Sequence, residues 1–132
     1  MTDVVNTITT FSSSGTRHKL QITNESDGTG ESAVSKLDIS GLVLGDGTTV
    51  PSSVSLLSVQ YQVTGFNYVT LYWDHTTDDE MVVLSGNGFF DYEGDALVDP
   101  KSAGDTGDVL LTTDGAIDGA SYNIILEFRL EK

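Results

Sequence analysis

Cysteine is absent from this 132-residue chain, which excludes disulfides, thiolate metal sites and thiol nucleophiles. Bases are scarce: six Lys and Arg stand against twenty Asp and Glu, for a formal charge of −14. A surface so short of cations is unsuited to neutralising phosphates, so neither nucleic acid nor an anionic membrane surface is expected as a partner. Long apolar runs are missing too. Met81 to Leu84 and Ile124 to Leu126 are the most apolar stretches, far short of the roughly 20 residues that span a bilayer. Met1 to Thr10 carries no base and no apolar run beyond Val4-Val5, so the expectation is a protein made in the cytoplasm without a secretory signal. Helix-forming composition is thin, and no window keeps apolar residues at i, i+3, i+4 and i+7 over three turns.

What remains is alternation. Tyr122, Ile124, Leu126, Phe128 and Leu130 fall on one face of the last segment, and Asn123, Glu127, Arg129 and Glu131 on the other, as in a half-buried strand. Burying five such side chains is worth roughly 1.5 to 3 kcal/mol each, so a slip of one residue would cost on the order of a domain's whole stability. Leu57, Val59, Tyr61 and Val63 alternate with polar residues in the same way. After Gly65-Phe66-Asn67, Val69, Leu71 and Trp73 do so again, and the two runs read as a hairpin. Further strands are expected at Val4 to Thr10, Arg17 to Asn24, Ala33 to Ile39, Glu80 to Ser85 and Asp108 to Thr113. Between Val34 and Leu37 the alternation changes phase, which a bulge or a misplaced boundary would explain.

Gly-rich breaks with Asp, Asn, Ser or Thr separate these runs, as in antiparallel β folds. The predicted fold is all-β: an antiparallel two-sheet β-sandwich, jelly-roll-like or immunoglobulin-like, of about eight strands. Residues 1–16 are expected to form a flexible N-terminal arm with a possible first strand, and residues 17–132 the sandwich domain. Gly86 to Gly107 is the longest stretch without a clear pattern. It carries Phe89, Phe90 and Tyr92, so a contact surface is sought there first.

Chemistry-bearing groups are few. A catalytic triad would need His18 or His75 beside a Ser and a carboxylate. Val83-Leu84-Ser85-Gly86-Asn87 lacks the leading Gly of a nucleophile elbow, so both His are read as strand residues. Asp74, Asp78, Asp79 and Glu80, and again Asp91, Glu93, Asp95 and Asp99, could ligate Ca²⁺ if their loops curled, but neither spacing matches a calcium loop and a solvated acidic surface accounts for both. No catalytic residue, cofactor or metal site is assigned. Among the aromatics, Trp73, Tyr61 and Phe128 are expected in the core. Tyr68 and Tyr72 lie opposite Trp73 and, with Phe89, Phe90 and Tyr92, form the candidate partner interface. An alternative is a carbohydrate-binding module that uses these rings for stacking, with or without Ca²⁺.

Gly65-Phe66-Asn67-Tyr68-Val69, Leu71, Trp73-Asp74, Thr76-Thr77-Asp78-Asp79, Leu84-Ser85-Gly86-Asn87-Gly88 and Ser102-Ala103-Gly104-Asp105-Thr106-Gly107-Asp108 with Leu110-Leu111-Thr112-Thr113 form a distinctive string. Over residues 17–130 it resembles small virion structural proteins of tailed bacteriophages, of the capsid decoration or cement kind. The resemblance implies a non-enzymatic subunit on the outer head surface that contacts the major capsid protein or other virion subunits. Symmetry adds the expectation of a homo-oligomer, with a trimer at local threefold positions the simplest form.

Overall fold

A computed structural model of the chain describes residues 5–14, 17–42, 49–51, 53–75, 79–92, 96–98, 108–115 and 117–131. Among these residues the chain forms ten strands: β1 (Val5–Ser14), β2 (Arg17–Asp27), β3 (Val34–Leu37), β4 (Ser53–Thr64), β5 (Tyr68–Trp73), β6 (Asp79–Leu84), β7 (Asn87–Asp91), β8 (Leu97–Val98), β9 (Val109–Asp114) and β10 (Asp118–Glu131). One 3₁₀ turn, Ile39–Gly41, precedes β4, its first residues capped by the Asp38 carboxylate. No helix among the described residues is long and apolar enough to cross a membrane.

The strands make two antiparallel sheets, in the orders β1-β2-β10-β4-β7, with β8 also on β4, and β3-β9-β5-β6. The pairs β2/β10, β3/β9, β4/β7 and β5/β6 are those of one long hairpin folded at β5–β6. Rolling that hairpin up adds the contacts β10/β4 and β5/β9. This is the jelly-roll arrangement, and it decides between the two sandwich types the sequence leaves open. To it are added β1, along the outer edge of β2, and β8, continuing the line of β7. Val5–Ser14, within the region expected as an arm, therefore pairs with its own chain over its whole length, with a register shift between Thr10 and Ser12.

The core follows the alternation. Tyr122, Ile124, Leu126, Phe128 and Leu130 are all buried, and so are Leu20 and Ile22 beside them and Val69, Leu71, Trp73, Val109 and Leu111 from the opposite sheet. Trp73 meets Phe128 edge-on across the two layers, with ring centroids 6.5 Å apart. In β4 the inner face is Val59 and Val63 above a bulge at Leu57, and Leu56 and Val54 below it. Leu57 is buried yet lies outside the main cluster, so its expected place in the inward series is corrected by the bulge. The phase break in β3 is also a bulge. Ser35 pairs with Leu110 and Leu37 with Val109, which leaves Lys36 as the extra residue.

The expected hairpin between Leu57–Thr64 and Val69–Trp73 is not formed. β4 and β5 lie in different sheets, and residues 65–67 carry the chain from one layer to the other. A hairpin and an arch satisfy the same apolar alternation, because each strand needs only one buried face. The arch is held by Asn67, whose backbone N–H donates to the Asp114 carbonyl at 2.9 Å and whose side-chain amide donates to the Asp114 carboxylate at 2.9 Å. Phe66 packs on Tyr122 with centroids 6.0 Å apart. Gly65 has φ +86°, and a Cβ there would stand 2.9 Å from both Cα and Cβ of Ala120. Gly86 to Gly107 is less irregular than expected, since it contains β7 and β8. β7 escapes periodicity analysis because its pattern is broken by Gly88, over which the Tyr61 ring lies so closely that a Cβ would be 2.5 Å from the hydroxyl.

Gly65→Ala is predicted to destabilise the fold by about 2 to 4 kcal/mol, through left-handed strain and overlap with Ala120. Urea unfolding with an unchanged m-value would read this as a lower midpoint.

Candidate functional site

The structure separates the candidate interface residues into two groups. Tyr68 and Tyr72 project from the outer face of the β3-β9-β5-β6 sheet, opposite buried Val69, Leu71 and Trp73. Tyr68 is 43% exposed and pairs with Asp114, whereas Tyr72 is half-buried between Leu110 and Glu80. Thr70 and Leu110 are themselves buried on this face, and Val83, opposite Thr70 on the edge strand β6, is 44% exposed. The result is a small apolar surface bordered by Asp79, Glu80 and Asp114.

Phe89, Phe90 and Tyr92 belong to the other sheet, on and just beyond β7. Phe90 pairs with Val59 on the opposite face of β7 from Phe89 and is still 37% exposed, its ring 5.5 Å from Tyr61 and 6.0 Å from Tyr92. Tyr92 is tied down by its N–H to the Leu57 carbonyl at 2.6 Å. Its phenol is raised above its ordinary value by burial and, secondarily, by Tyr61. Phe89 points the opposite way, beside Gln60, and is 60% exposed. The five rings therefore do not form one platform. Tyr61, expected in the core, is instead half-buried at its margin.

Charge is unevenly distributed along the chain. Residues 37–100 contain ten Asp and Glu and no Lys or Arg. Arg17, Lys19 and Arg129 stand together at one end of the outer face of the other sheet, where Arg17 lies 3.5 Å from Glu127 and Arg129 donates to Glu131 at 2.5 Å.

One polar cluster was not foreseen from the sequence. The bulge in β3 turns Lys36 into the protein, where its ammonium donates to Glu31 Oε2 at 2.6 Å and Tyr122 O–H donates to Glu31 Oε1 at 2.5 Å. Glu31 and Lys36 are both buried. Glu31 is held in place by its backbone, which exchanges hydrogen bonds with Thr113. The phase change at residues 34–37 was the sequence's only trace of this arrangement. Its geometry is that of a closed internal ion pair, with both carboxylate oxygens engaged.

The two His do not meet. His18 lies in β2 opposite Phe128, buried, with no hydrogen-bond partner for Nδ1 among the described residues, and burial lowers its pKa below 6.5. His75 follows β5 in the other sheet and contacts Asp79 at 2.6 Å. Of the two acidic clusters, Asp78, Glu93, Asp95 and Asp99 lie outside the described residues. Among the described ones no group of three or more potential ligands could hold a metal ion. No family model matches the chain, and no curated protein or solved structure matches it.

Lys36→Met is predicted to cost about 3 to 5 kcal/mol, because it strands the Glu31 carboxylate in the interior, and adding Glu31→Gln should recover more than half of this. Denaturant melts of the two single variants and the double variant measure it. A second expectation concerns pH. Burial holds the His18 pKa below 6.5 in the fold, so as the pH falls through 6.5 the unfolded chain takes up this proton before the folded one does. The unfolded state then binds more protons, so the stabilisation is full above that pH and is lost as the pH falls below it. Wild-type stability should therefore fall more steeply than that of His18→Leu between neutral and mildly acidic pH.

Proposed function

We propose that this chain is a non-enzymatic structural protein of a tailed-phage virion, a decoration or cement subunit on the outer head surface. The observation that carries the proposal is the surface around Tyr68, Tyr72 and Val83: exposed Tyr68 and Val83 beside half-buried Tyr72, with a carboxylate border, suited to a protein surface with an apolar centre and a basic rim. The architecture supports it by analogy, since jelly rolls recur in viral capsid domains, although a fold by itself assigns no function. Charge supports an external position, because a subunit of charge −14 would be repelled by packaged DNA.

On this reading the chain works by repetition. Weak single contacts accumulate when many copies occupy a symmetric shell. The contact face belongs to the sheet of β3, β9, β5 and β6, and the other sheet is left facing outward. The partners are the major capsid protein and neighbouring copies of this chain, with a trimer as the oligomer to look for.

Mass spectrometry of purified virions should find the protein in many copies, and its absence from particles would end the proposal. Tyr68→Asp with Val83→Asp should weaken binding to emptied heads by about a hundredfold or more, as loss of a central contact does, without unfolding the subunit.

A further inference from the structure

The outer face of the β1-β2-β10-β4-β7 sheet carries a band without charge. Cross-strand register places Asn87, Gln62, Asn123 and Thr23 in one row. The next row on the same face is Phe89, Gln60, Ile125 and Gln21. Charged side chains begin only beyond the band, with Glu25 on one side and Lys19 and Glu127 on the other. The chain as a whole carries a charge of −14, and none of it lies in these two rows.

From this band we infer a binding site for a neutral oligosaccharide, separate from the protein-contact face proposed above. A shallow depression of about 100 Å³ lies at its centre, lined by Gln60, Tyr61, Gln62, Asn123 and Ile125. A primary amide presents a donor and an acceptor side by side, the complement of two neighbouring sugar hydroxyls. Gln60 and Gln62 are exposed. Gln21 donates to Asn123 Oδ1 at 2.6 Å, an arrangement that turns the Gln21 oxygen and the Asn123 NH₂ toward a ligand's hydroxyls. Phe89, 60% exposed at the end of its row, offers a ring face for the C–H side of a pyranose.

Size and charge restrict the ligand further. Strands about 4.8 Å apart repeat these groups at close to the length of one β-linked hexose unit, and four strands span about 14 Å. Such a row suits two or three sugar units laid across the strands. Nothing in the band would neutralise a carboxylate or sulfate, and the net charge disfavours anionic sugars.

The test is titration of the ¹⁵N-labelled full chain with hexasaccharides of cellulose, xylan, mannan and chitin, and with an alginate oligomer as the acidic control. At least one neutral hexasaccharide should shift the side-chain NH₂ signals of Gln60, Gln62 and Asn123 with a saturable curve, at roughly millimolar affinity or tighter. Phe89→Ala and Gln62→Ala should each weaken binding by about tenfold, with backbone spectra that show both variants folded, while Tyr68→Ala on the other sheet leaves it unchanged. The inference is overturned if no neutral hexasaccharide shifts these signals, if the shifts gather at Tyr68 and Tyr72, or if only the alginate oligomer binds. Each outcome is independent of whether the protein is found in virions.

Discussion

Burial of one face of β10 between the two layers is the constraint on which the rest of this structure depends. The strand lies between β2 and β4 and sends Tyr122, Ile124, Leu126, Phe128 and Leu130 into the core. With no cysteine to form a disulfide, an acidic chain depends on hydrophobic burial, which must outweigh charge repulsion as well as conformational entropy. Aromatic contacts between layers stand near the two ends of that strand, Phe66 with Tyr122 and Trp73 with Phe128. Because β10 is fixed on both edges, its neighbours cannot shift register without exposing apolar side chains.

How much of this was legible in the sequence depended on the range of the interaction. Alternation is local, so the strands around Ile124, Val59 and Leu71 could be read directly, together with the all-β class. Partner choice is not local. Val63 and Val69 each needed a buried face, and nothing in their own segments distinguished two strands side by side from two strands facing each other across the core. The contacts that hold the arch come from residues distant in the chain, Asp114 on Asn67 and Tyr122 on Phe66. β7 was hidden for a related reason, since Gly88 has no side chain to mark a face and its role is to make room for Tyr61.

The candidate sites were legible to a similar extent. Tyr68 and Tyr72 lie on the face opposite Trp73, as the alternation requires, but their separation from Phe89, Phe90 and Tyr92 is a consequence of the sheet order. The ion pair of Glu31 and Lys36 depends on a bulge that sequence could suggest but not place. The amide band arises from cross-strand register among four strands, so its members are scattered along the chain from Gln21 to Ile125. These surfaces give the molecule two unlike faces, one with a small apolar patch bordered by carboxylates and the other with an uncharged polar band between charged ends. The two layers of the jelly roll set these surfaces on opposite sides of the core.

The most direct measurement is the set of backbone cross-strand proton contacts seen by NMR. They should place β10 between two neighbours, with Val63 beside Tyr122 on one side and Ile22 beside Ile124 on the other, and should place Val69 beside Thr113 in the second sheet. Contacts joining β4 directly to β5 as adjacent strands would contradict the rolled topology and, with it, the two-faced surface on which the functional proposals rest.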